Sequence, residues 1–511
     1  MKTIKRYGNI VVLICIIIEL LVWPSLNNLA GCLMTIVSWL IFSKIGLNEQ
    51  VVREHTFAWL VFLSMSMYRI LPLMATMLEG NSIGYNFVLP FETYCGETLL
   101  YIVSALAFYI AINYKRPLQF LKRILFKCGF YSQVSDKVLW GIGLFGFCLN
   151  LYVLGSKIET GDVIGKTLVG FTFLQFAPLL LFFPVLYKED DNRVFVYDFK
   201  CLCYLILLIV VAFATNSREA ILEPIGTFVL LFLLSYINCE KNIRHTINKK
   251  YIVYGVFLII FVFPIINDIS LAMLYNRTFR NDISRTELFS RTMETFLDKE
   301  KMETLYLLKE KKEERGTIIS MKNTKKWSEI YVSNFALNRY CNLKVSDNTL
   351  YHAQKVGFSN DFMYKDFWTE IVALLPTPIL KFLGVYYDKD ERYSRGDKLK
   401  ALSENRHPLG SYLVTSHLAD GLLTFGYWYF PIEFLLFFIR FLFLDTFLLR
   451  YKGRVYYSVL GLITIFSFLA MFRNAGGCCD SLSYLLRGYW QDVILFVIAF
   501  SLLRKVDIRL R

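Results

Sequence analysis

A short turn around Arg218 has the composition of an anion-binding helix start. It lies in the segment Ala214-Thr-Asn-Ser-Arg-Glu-Ala, where two apolar stretches meet with almost no loop between them. Asn216 can cap the second helix, and Glu219 three residues later completes the pattern of a capping box. Free backbone N–H groups at a helix start attract anions, and a guanidinium binds phosphate oxygens at two points. The segment predicts a pyrophosphate site; alternatively, Arg218 only lies at a membrane surface and Glu219 only caps the helix.

A second arginine-containing segment runs from Arg473 to Arg487. Its Gly476 and Gly477 permit a sharp backbone turn or a close approach to a ligand. Both arginines are therefore candidates for the same pyrophosphate site as Arg218. Each also has a simpler interpretation, because Arg473 can stabilise a helix C-terminus and Arg487 precedes a Gly-Tyr-Trp sequence typical of a membrane interface.

His417 and Asp420 are three residues apart, so they share a face if a helix has begun there. Either can be the general base that removes a proton from a sugar hydroxyl. Histidine titrates near neutral pH without perturbation, whereas aspartate does so only when desolvated. We expect Asp420 to be the base and His417 its orienting partner or substitute. A solvated histidine and a helix-end carboxylate are the alternative, and Glu219, Glu370 and His407 are the next candidate bases.

The eleven cysteines do not predict a metal site or a disulfide framework. The sequence has no CxxC motif and no Cys/His cluster with zinc spacing. Several cysteines lie in apolar stretches, where cysteine behaves as a small hydrophobic residue. We therefore expect no metal and no cofactor.

The elements that must position these residues are apolar helices. Of the 511 residues, 55% are hydrophobic and 19% are charged, whereas about a quarter are charged in a soluble domain. This composition excludes a disordered chain, a coiled coil and a disulfide-rich miniprotein. It predicts an all-α polytopic membrane protein, since a membrane helix needs about 20 mostly apolar residues. Twelve candidate spans lie at residues 8–24, 29–43, 56–78, 97–113, 138–155, 167–187, 201–216, 219–237, 251–271, 421–443, 455–472 and 489–503.

The lysines and arginines between these spans predict their orientation. With the N-terminus inside, the inner segments carry 25 of these residues and the short outer loops carry five, which follows the positive-inside rule. The prediction is therefore that both termini are cytoplasmic. Membrane helices 1–9 then occupy residues 1–271, a large extracytoplasmic loop occupies 272–420, and helices 10–12 occupy 421–511. The net charge of +14 becomes a consequence of topology, which removes nucleic-acid binding.

The large loop is expected to contain helices. Residues 286–314 have apolar residues at helical spacing and many charge pairs three or four apart, and Gly316 ends the pattern. Residues 367–387 are apolar but are interrupted by Pro376 and Pro378, so they cannot form a straight span. We expect that segment to lie at the membrane surface or to pack on the helices.

Four charged residues lie inside predicted spans, where a charge is costly unless it is paired or lines a wet cavity. They are Arg69, Glu223, Glu433 and Arg440. Such residues can mark a transport path, which makes a transporter an alternative to an enzyme.

The chain resembles the bacterial O-antigen polymerases, also called oligosaccharide repeat-unit polymerases. The resemblance is one of architecture together with three local pieces and the Arg473 loop. The pieces are Asn216-Ser-Arg-Glu219, Leu374-Leu-Pro-Thr-Pro378, and Asp420-Gly-Leu-Leu-Thr-Phe-Gly426 leading into Pro431. Two features depart from the family: the acidic position is Asp420, where glutamate is more usual, and the Ser-Arg turn lacks a frequent glycine.

The resemblance implies metal-independent glycosyl transfer at the periplasmic face of the bacterial inner membrane. A chain on undecaprenyl pyrophosphate would be moved onto the next lipid-linked repeat unit, as in lipopolysaccharide O-antigen biosynthesis. The predicted site comprises Asp420 and His417 as catalytic residues, Arg218, Arg473 and Arg487 as pyrophosphate ligands, and Glu219, Asn216 and Glu370 in support.

The implied partners are the lipid-linked oligosaccharide, membrane lipids, and the chain-length regulator and flippase of the same pathway. Two alternative functions stay open. One is an O-antigen ligase that moves the chain to lipid A-core, and the other is a flippase or transporter of lipid-linked sugars.

Overall fold

The structure is a computed structural model of the chain, and it is mainly helical. The described residues form two compact units, which are treated separately below. The structure describes all residues except 115–117, 156–162, 190, 215–217, 240–264, 266–267, 270, 277–284, 309–326, 330, 333, 376, 386–392, 406–408, 452–453, 473–475 and 510–511.

The first unit comprises residues Met1–Lys122, Ile319–Phe447 and Phe468–Trp490. Its core contains stacked aromatic rings, with Phe62 lying 4.4 Å from Phe108 and 5.8 Å from Tyr101 between ring centroids. Its helices are Lys2–Val22, Leu26–Ile41, Glu49–Glu54, Thr56–Leu78, Pro90–Asn113, Phe335–Cys341, Lys344–Val356, Asp361–Val372, Thr377–Phe382, Arg395–Glu404, His417–Phe425, Tyr429–Leu444 and Cys479–Ser483.

The second unit comprises residues Arg123–Ile318, Leu448–Ser467 and Gln491–Arg511. A 3₁₀ helix, Thr172–Phe182, packs closely on its Asp136–Gly155 helix because Gly146 has no side chain; a Cβ there would lie 2.4 Å from the backbone nitrogen of Gln175. Its other helices include Val163–Val169, Phe199–Ala214, Arg218–Asn238, Arg285–Leu297, Val459–Ile463 and most of Tyr489–Arg509.

The second unit also contains a β-hairpin that the sequence analysis did not predict. Strands Leu448–Tyr451 and Arg454–Tyr457 pair antiparallel, with Leu448 opposite Tyr457. The hairpin occupies a segment predicted as an inner loop and the first residues of the predicted span 455–472. That span is further divided at Thr464, between helices Val459–Ile463 and Ile465–Ala470.

Six of the described helices are long and apolar enough to cross a membrane. This supports the prediction of a helical membrane protein at the level of length and composition, while the count of twelve spans stays a prediction. The six helices are Leu26–Gly46, Thr56–Leu78, Pro90–Asn113, Asp136–Leu154, Ala220–Asn238 and Cys479–Leu503.

Two predicted spans near the C-terminus have different boundaries in the structure. The segment 421–443 is not one helix, because His417–Phe425 ends at Gly426, whose φ of 58° is left-handed, and a new helix begins at Tyr429. The last span starts ten residues earlier than predicted, at Cys479, and passes through a π-helical turn at Tyr484–Gly488.

The large loop is helical, as predicted, with one correction. The predicted helix 286–314 is interrupted at Asp298, whose carboxylate accepts a hydrogen bond from the backbone N–H of Lys301 and so caps a new helical stretch at residues 299–308. Residues 309–314 and Gly316 lie outside the described residues. The predicted interruption within 367–387 is present, because Asp361–Val372 and Thr377–Phe382 are separate helices.

Segments of the first unit that were predicted to share one membrane side are in contact. On the predicted inner side, the Asp445 carboxylate lies 2.8 Å from Lys122 Nζ and 2.9 Å from His55 Nδ1. On the predicted outer side, Asp347 of the large loop accepts hydrogen bonds from the backbone N–H groups of Val88 and Leu89. These contacts connect segments next to the third, fourth and tenth predicted spans, while the orientation of the spans stays a prediction.

Candidate functional site

Arg395 is the centre of a buried ion network in the first unit. Its side chain is 6% exposed, and its Nε lies 2.7 Å from Asp420 Oδ1 and 2.9 Å from Oδ2. Its Nη1 donates to Asp366 at 3.1 Å and its Nη2 to Thr424 at 2.6 Å. Burial alone would lower the pKa of Arg395, but the charge of Asp420 outweighs it, so the pKa lies above its ordinary value.

Two capped helix starts place Arg395 and Asp420 face to face. Ser394 accepts a hydrogen bond from the backbone of Asp397, and Ser416 accepts one from the backbone of Ala419. Arg395 is thereby the first residue of one helix, and Asp420 lies in the first turn of the other.

Gly396 and Asp397 contact the loop backbone that precedes the second helix. A Cβ at Gly396 would lie 2.3 Å from the carbonyl oxygen of Leu413, so glycine permits this close packing. The buried Asp397 carboxylate accepts hydrogen bonds from the backbone N–H groups of Tyr412 and Leu413.

Asp420 anchors the turn at residues 476–480. Its side chain has no exposed surface, and its Oδ2 accepts a hydrogen bond from the backbone N–H of Cys478 at 2.8 Å. A Cβ at Gly477 would lie 3.0 Å from the same oxygen, so the glycine is needed for approach to this carboxylate rather than to a ligand. Because both oxygens are occupied and buried, the geometry favours an anchoring role for Asp420 over the predicted role of general base.

His417 is buried behind the same turn. It is 1% exposed, and its ring stacks on Phe472 with 4.9 Å between centroids and 13° between planes. Its Nε2 lies 3.8 Å from Asp480 Oδ2, and its Nδ1 has no hydrogen-bond partner among the described residues. Burial, then the charge of Arg440, lowers the pKa of His417 to about 3, so the ring is neutral at pH 7. The alternative interpretation of the sequence, in which His417 is solvated, is therefore wrong.

Glu370, which was predicted in a supporting role, lies at the edge of the ion network. Lys398 donates to Asp366 at 2.6 Å and lies 3.6 Å from Glu370 Oε1. Asp366 therefore connects Arg395 to Lys398, and Lys398 connects the network to Glu370. Glu370 is 7% exposed.

A cavity of about 390 Å³ opens beside this network, and its size is that of a small-ligand pocket. Its charged lining residues are the two carboxylates of Glu370 and Asp480 and the one guanidinium of Arg395. This balance suits a neutral ligand with many hydroxyl groups better than an anion. The lining residues are Glu370, Tyr393, Ser394, Arg395, Gly396, Tyr412, Leu413, Val414, Thr415, Gly476, Gly477, Cys479 and Asp480.

Most of the predicted pyrophosphate residues fall where the structure gives no side-chain description. A helix does begin at Arg218 and the preceding helix ends at Ala214, as the sequence predicted. Asn216, Arg473 and His407 lie outside the described residues, as do the side chains of Arg218 and Glu219. The prediction that Arg218 and Arg473 act together stays a prediction.

Arg487 does not lie in an outer loop, contrary to the prediction. It belongs to the π-helical turn inside the last membrane-length helix, eight residues after Cys479 and therefore about 12 Å along the axis from it. Its side chain is exposed and does not line the cavity. The following Tyr489 is fully buried and pairs with the hydroxyl of Thr446, so it is not an interfacial anchor.

Three of the four charges predicted inside spans have polar or aromatic neighbours. Arg69 Nη2 lies 2.5 Å from Glu97 Oε2, and both side chains are buried. Ser481 donates a hydrogen bond to Glu433 at 2.7 Å, and the Arg440 guanidinium lies over the ring of Tyr484 at 5.0 Å. These contacts connect neighbouring helices.

Glu223, the remaining charge of that set, is half-buried in the Arg218–Asn238 helix.

Comparison with known proteins assigns no family, since no family model, no curated protein and no solved structure matches the chain. In the part of the chain that the structure describes, no group of three or more His, Cys, Asp or Glu side chains could hold a metal ion.

Sequence reasoning missed four charged residues of the ion network and cavity. Arg395, Lys398 and Asp366 lie in polar stretches of the large loop with no recognisable motif. Asp480 was within the Arg473 segment but was not singled out. The only local signal was Ser394, which precedes a helix start as a capping residue does.

Proposed function

We propose that the protein is a polymerase of oligosaccharide repeat units linked to undecaprenyl pyrophosphate. It would act in the bacterial inner membrane with its active site facing the periplasm, and produce O-antigen or a similar surface polysaccharide. The reaction is a glycosyl transfer in which one growing chain moves from its lipid carrier onto the next lipid-linked unit.

The observation that carries this proposal is the cavity beside Arg395. It lies where the large loop meets the turn at 476–480, and it presents the carboxylates of Glu370 and Asp480. Two tyrosines, Tyr393 and Tyr412, supply aromatic and hydroxyl surface at its wall. A hydroxyl-rich sugar needs such hydrogen-bonding groups, and a base must lie within reach of the attacking hydroxyl.

The charges of the cavity favour separate binding sites for the acceptor sugar and for the pyrophosphate of the donor. The cavity has an excess of carboxylates, so we assign it the neutral acceptor sugar. A pyrophosphate leaving group needs cations to stabilise the charge that develops on it. Arg473 is the first candidate, because its neighbours in sequence, Phe472 and Gly476, belong to the site. Arg218 keeps its predicted role as a further candidate.

The proposed topology has twelve spans with both termini cytoplasmic. It is supported by the split of 25 inner to five outer basic residues and by contacts between segments assigned to the same side. Accessibility labelling of single cysteines at positions 311 and 249 tests it. We expect position 311 to react from outside and position 249 only after permeabilisation; labelling of 311 from the cytoplasm alone would contradict the topology.

A transporter is less well supported than an enzyme. Charges on a transport path must exchange partners with the cargo, whereas Arg69 and Glu97 are buried and bound to each other. Glu97 also accepts a hydrogen bond from Ser346 of the large loop. These contacts suit a structural connection between helices and loop. The alternative function of a ligase involves the same chemistry as a polymerase, so an experiment must distinguish the two.

The experiment is deletion of the protein followed by gel analysis of surface polysaccharide. Without a polymerase, the lipid acceptor should still be capped by a single repeat unit. Loss of all capping would identify a ligase, and an unchanged polysaccharide ladder would refute both functions. Purified protein should lengthen purified lipid-linked repeat units without a second enzyme.

A further inference from the structure

We propose that Asp480 is the general base of the transfer and that His417 is the residue that positions it. This inference rests on the proposed function, because it names the proton acceptor at the acceptor sugar. It differs from the expectation from sequence, in which Asp420 was the base.

Asp480 is the carboxylate that both faces the cavity and is accessible. Its side chain is 56% exposed and lines the cavity, whereas Asp420 has no exposed surface. The turn that carries Asp480 has one hydrogen bond to the network and one within itself. The backbone N–H of Cys478 donates to Asp420, and that of Asp480 donates to the carbonyl oxygen of Gly477 at 3.1 Å. The network around Arg395 therefore holds the turn at one place beside the cavity.

His417 can orient this carboxylate from behind. With Nδ1 buried and without a hydrogen-bond partner among the described residues, the favoured tautomer carries its proton on Nε2, because a bare acceptor costs less than a buried N–H donor. That nitrogen lies 3.8 Å from Asp480 Oδ2. The distance is too long for a hydrogen bond, but such contacts commonly shorten when substrate binds.

Stacking on Phe472 holds the ring of His417 in this orientation.

Glu370 is the competing carboxylate of the cavity wall. It is 7% exposed and lies 3.6 Å from Lys398, so its negative charge is largely compensated by that lysine. Among the described residues, the charged and titratable groups around Asp480 include His417 and Asp420 on the helix after Ser416, Glu433 and Arg440 on the next helix, and Glu370 on the Asp361–Val372 helix.

The proposed step is balanced. The acceptor O–H bond breaks and its proton passes to the Asp480 carboxylate. The freed electron pair on the acceptor oxygen forms the new bond to the anomeric carbon of the donor. The bond from that carbon to the pyrophosphate oxygen breaks, and its electron pair leaves with undecaprenyl pyrophosphate. Asp480 then returns the proton to water.

The test compares Asp480→Asn with the parent protein and with Asp361→Asn, using purified lipid-linked repeat units. Asp361 is an exposed carboxylate in the same unit and serves as the matched control. We expect Asp480→Asn to lower kcat by about 10²–10⁴ with little change in KM, as for loss of a general base. The control should keep the parent rate.

His417 is tested by two variants that separate positioning from packing. His417→Phe keeps an aromatic ring against Phe472 but has no N–H, so kcat should fall at least tenfold while KM stays near the parent value. His417→Gln restores an N–H donor and should recover part of kcat. Equal activity of the Phe variant and the parent would overturn the positioning role.

The failure of this inference is distinguishable from failure of the proposed function. If the parent protein does not lengthen lipid-linked units, the function is wrong. If the parent lengthens them and Asp480→Asn does so at the same rate, the base lies elsewhere, and a large loss in Glu370→Gln would identify that residue instead. An Asp480→Asn protein that elutes at the same volume as the parent in size-exclusion chromatography but is inactive supports the assignment of Asp480 as the base.

Discussion

Replacing Asp420 by asparagine changes one oxygen of a buried carboxylate to an amide group while preserving the shape of the side chain. In the structure one oxygen accepts from Arg395 at 2.7 Å and the other accepts from the backbone of Cys478 at 2.8 Å. An amide has a single acceptor oxygen, so one of these two donors must face an NH₂ group. The substitution therefore tests whether Asp420 anchors the turn at 476–480.

The size of the effect follows from the geometry. At 2.7 Å, opposite unit charges attract by about 6 kcal/mol for an effective dielectric constant of about 20, before the desolvation cost is subtracted. Removing one partner of a buried pair costs about 3–5 kcal/mol, because the remaining charge is left uncompensated. We expect Asp420→Asn and Arg395→Met each to lower the free energy of unfolding by about this amount.

The assay is reversible unfolding by SDS in mixed micelles, followed by tryptophan fluorescence. A double variant, Arg395→Met with Asp420→Leu, removes both charges and should cost less than the sum of the two single losses by about 0.5–3 kcal/mol. Asp361→Asn is the control and should change little. Additive losses would refute the anchoring argument, as would an Asp420→Asn protein with parent stability and no activity, which would return Asp420 to the role of base.

Three further predictions concern the donor site, the turn and acid stability. Arg473→Ala should abolish polymerisation while membrane insertion is retained, and Arg473→Lys should restore only part of it, because lysine lacks the two-point fork of arginine. Gly477→Ala should reduce both stability and activity, since its Cβ would lie 3.0 Å from Asp420 Oδ2. Burial lowers the pKa of His417 to about 3 and that of His352 to about 4, whereas unfolded histidine titrates near about 6.5. The unfolded chain therefore binds protons that the folded chain does not. Stability should fall below about pH 6.5 by up to about 1.4 kcal/mol per pH unit for each histidine, down to about pH 4 for His352 and about pH 3 for His417.

Each of these three predictions has a further variant that serves as a control or a second test. Arg218→Ala, assayed separately, tests the second predicted pyrophosphate ligand, and full activity of both alanine variants would leave the donor assignment without support. Gly141→Ala is the control for Gly477→Ala, because a Cβ at Gly141 would lie 3.6 Å from its nearest atom, an ordinary contact distance. His352→Gln should reduce the loss of unfolding free energy between pH 7 and pH 5, and an unchanged loss would contradict the pH argument.

Local sequence determined the elements of this protein. Runs of apolar residues long enough for a bilayer determined the membrane-length helices, because removing apolar side chains from water is the main contribution that favours insertion. Without water, the backbone N–H and C=O groups must bond to each other, which a helix achieves. Serine at a helix start, as at Ser394 and Ser416, determined where two helices of the site begin. The two prolines at 376 and 378 predicted an interruption that the helices on either side display.

Only the tertiary structure decided what those elements do together. Asp420 was visible as a carboxylate near a helix start, but Arg395 lies 25 residues before it and Cys478 lies 58 residues after it. No short-range pattern records such a pairing, because a charge chooses its partner by distance and burial in the folded chain. The same packing exposes Asp480 to the cavity while it buries His417 behind it. The physical reason is that residue type sets which chemistry is available, whereas desolvation and neighbouring charges, which exist only after folding, set which residue can perform it.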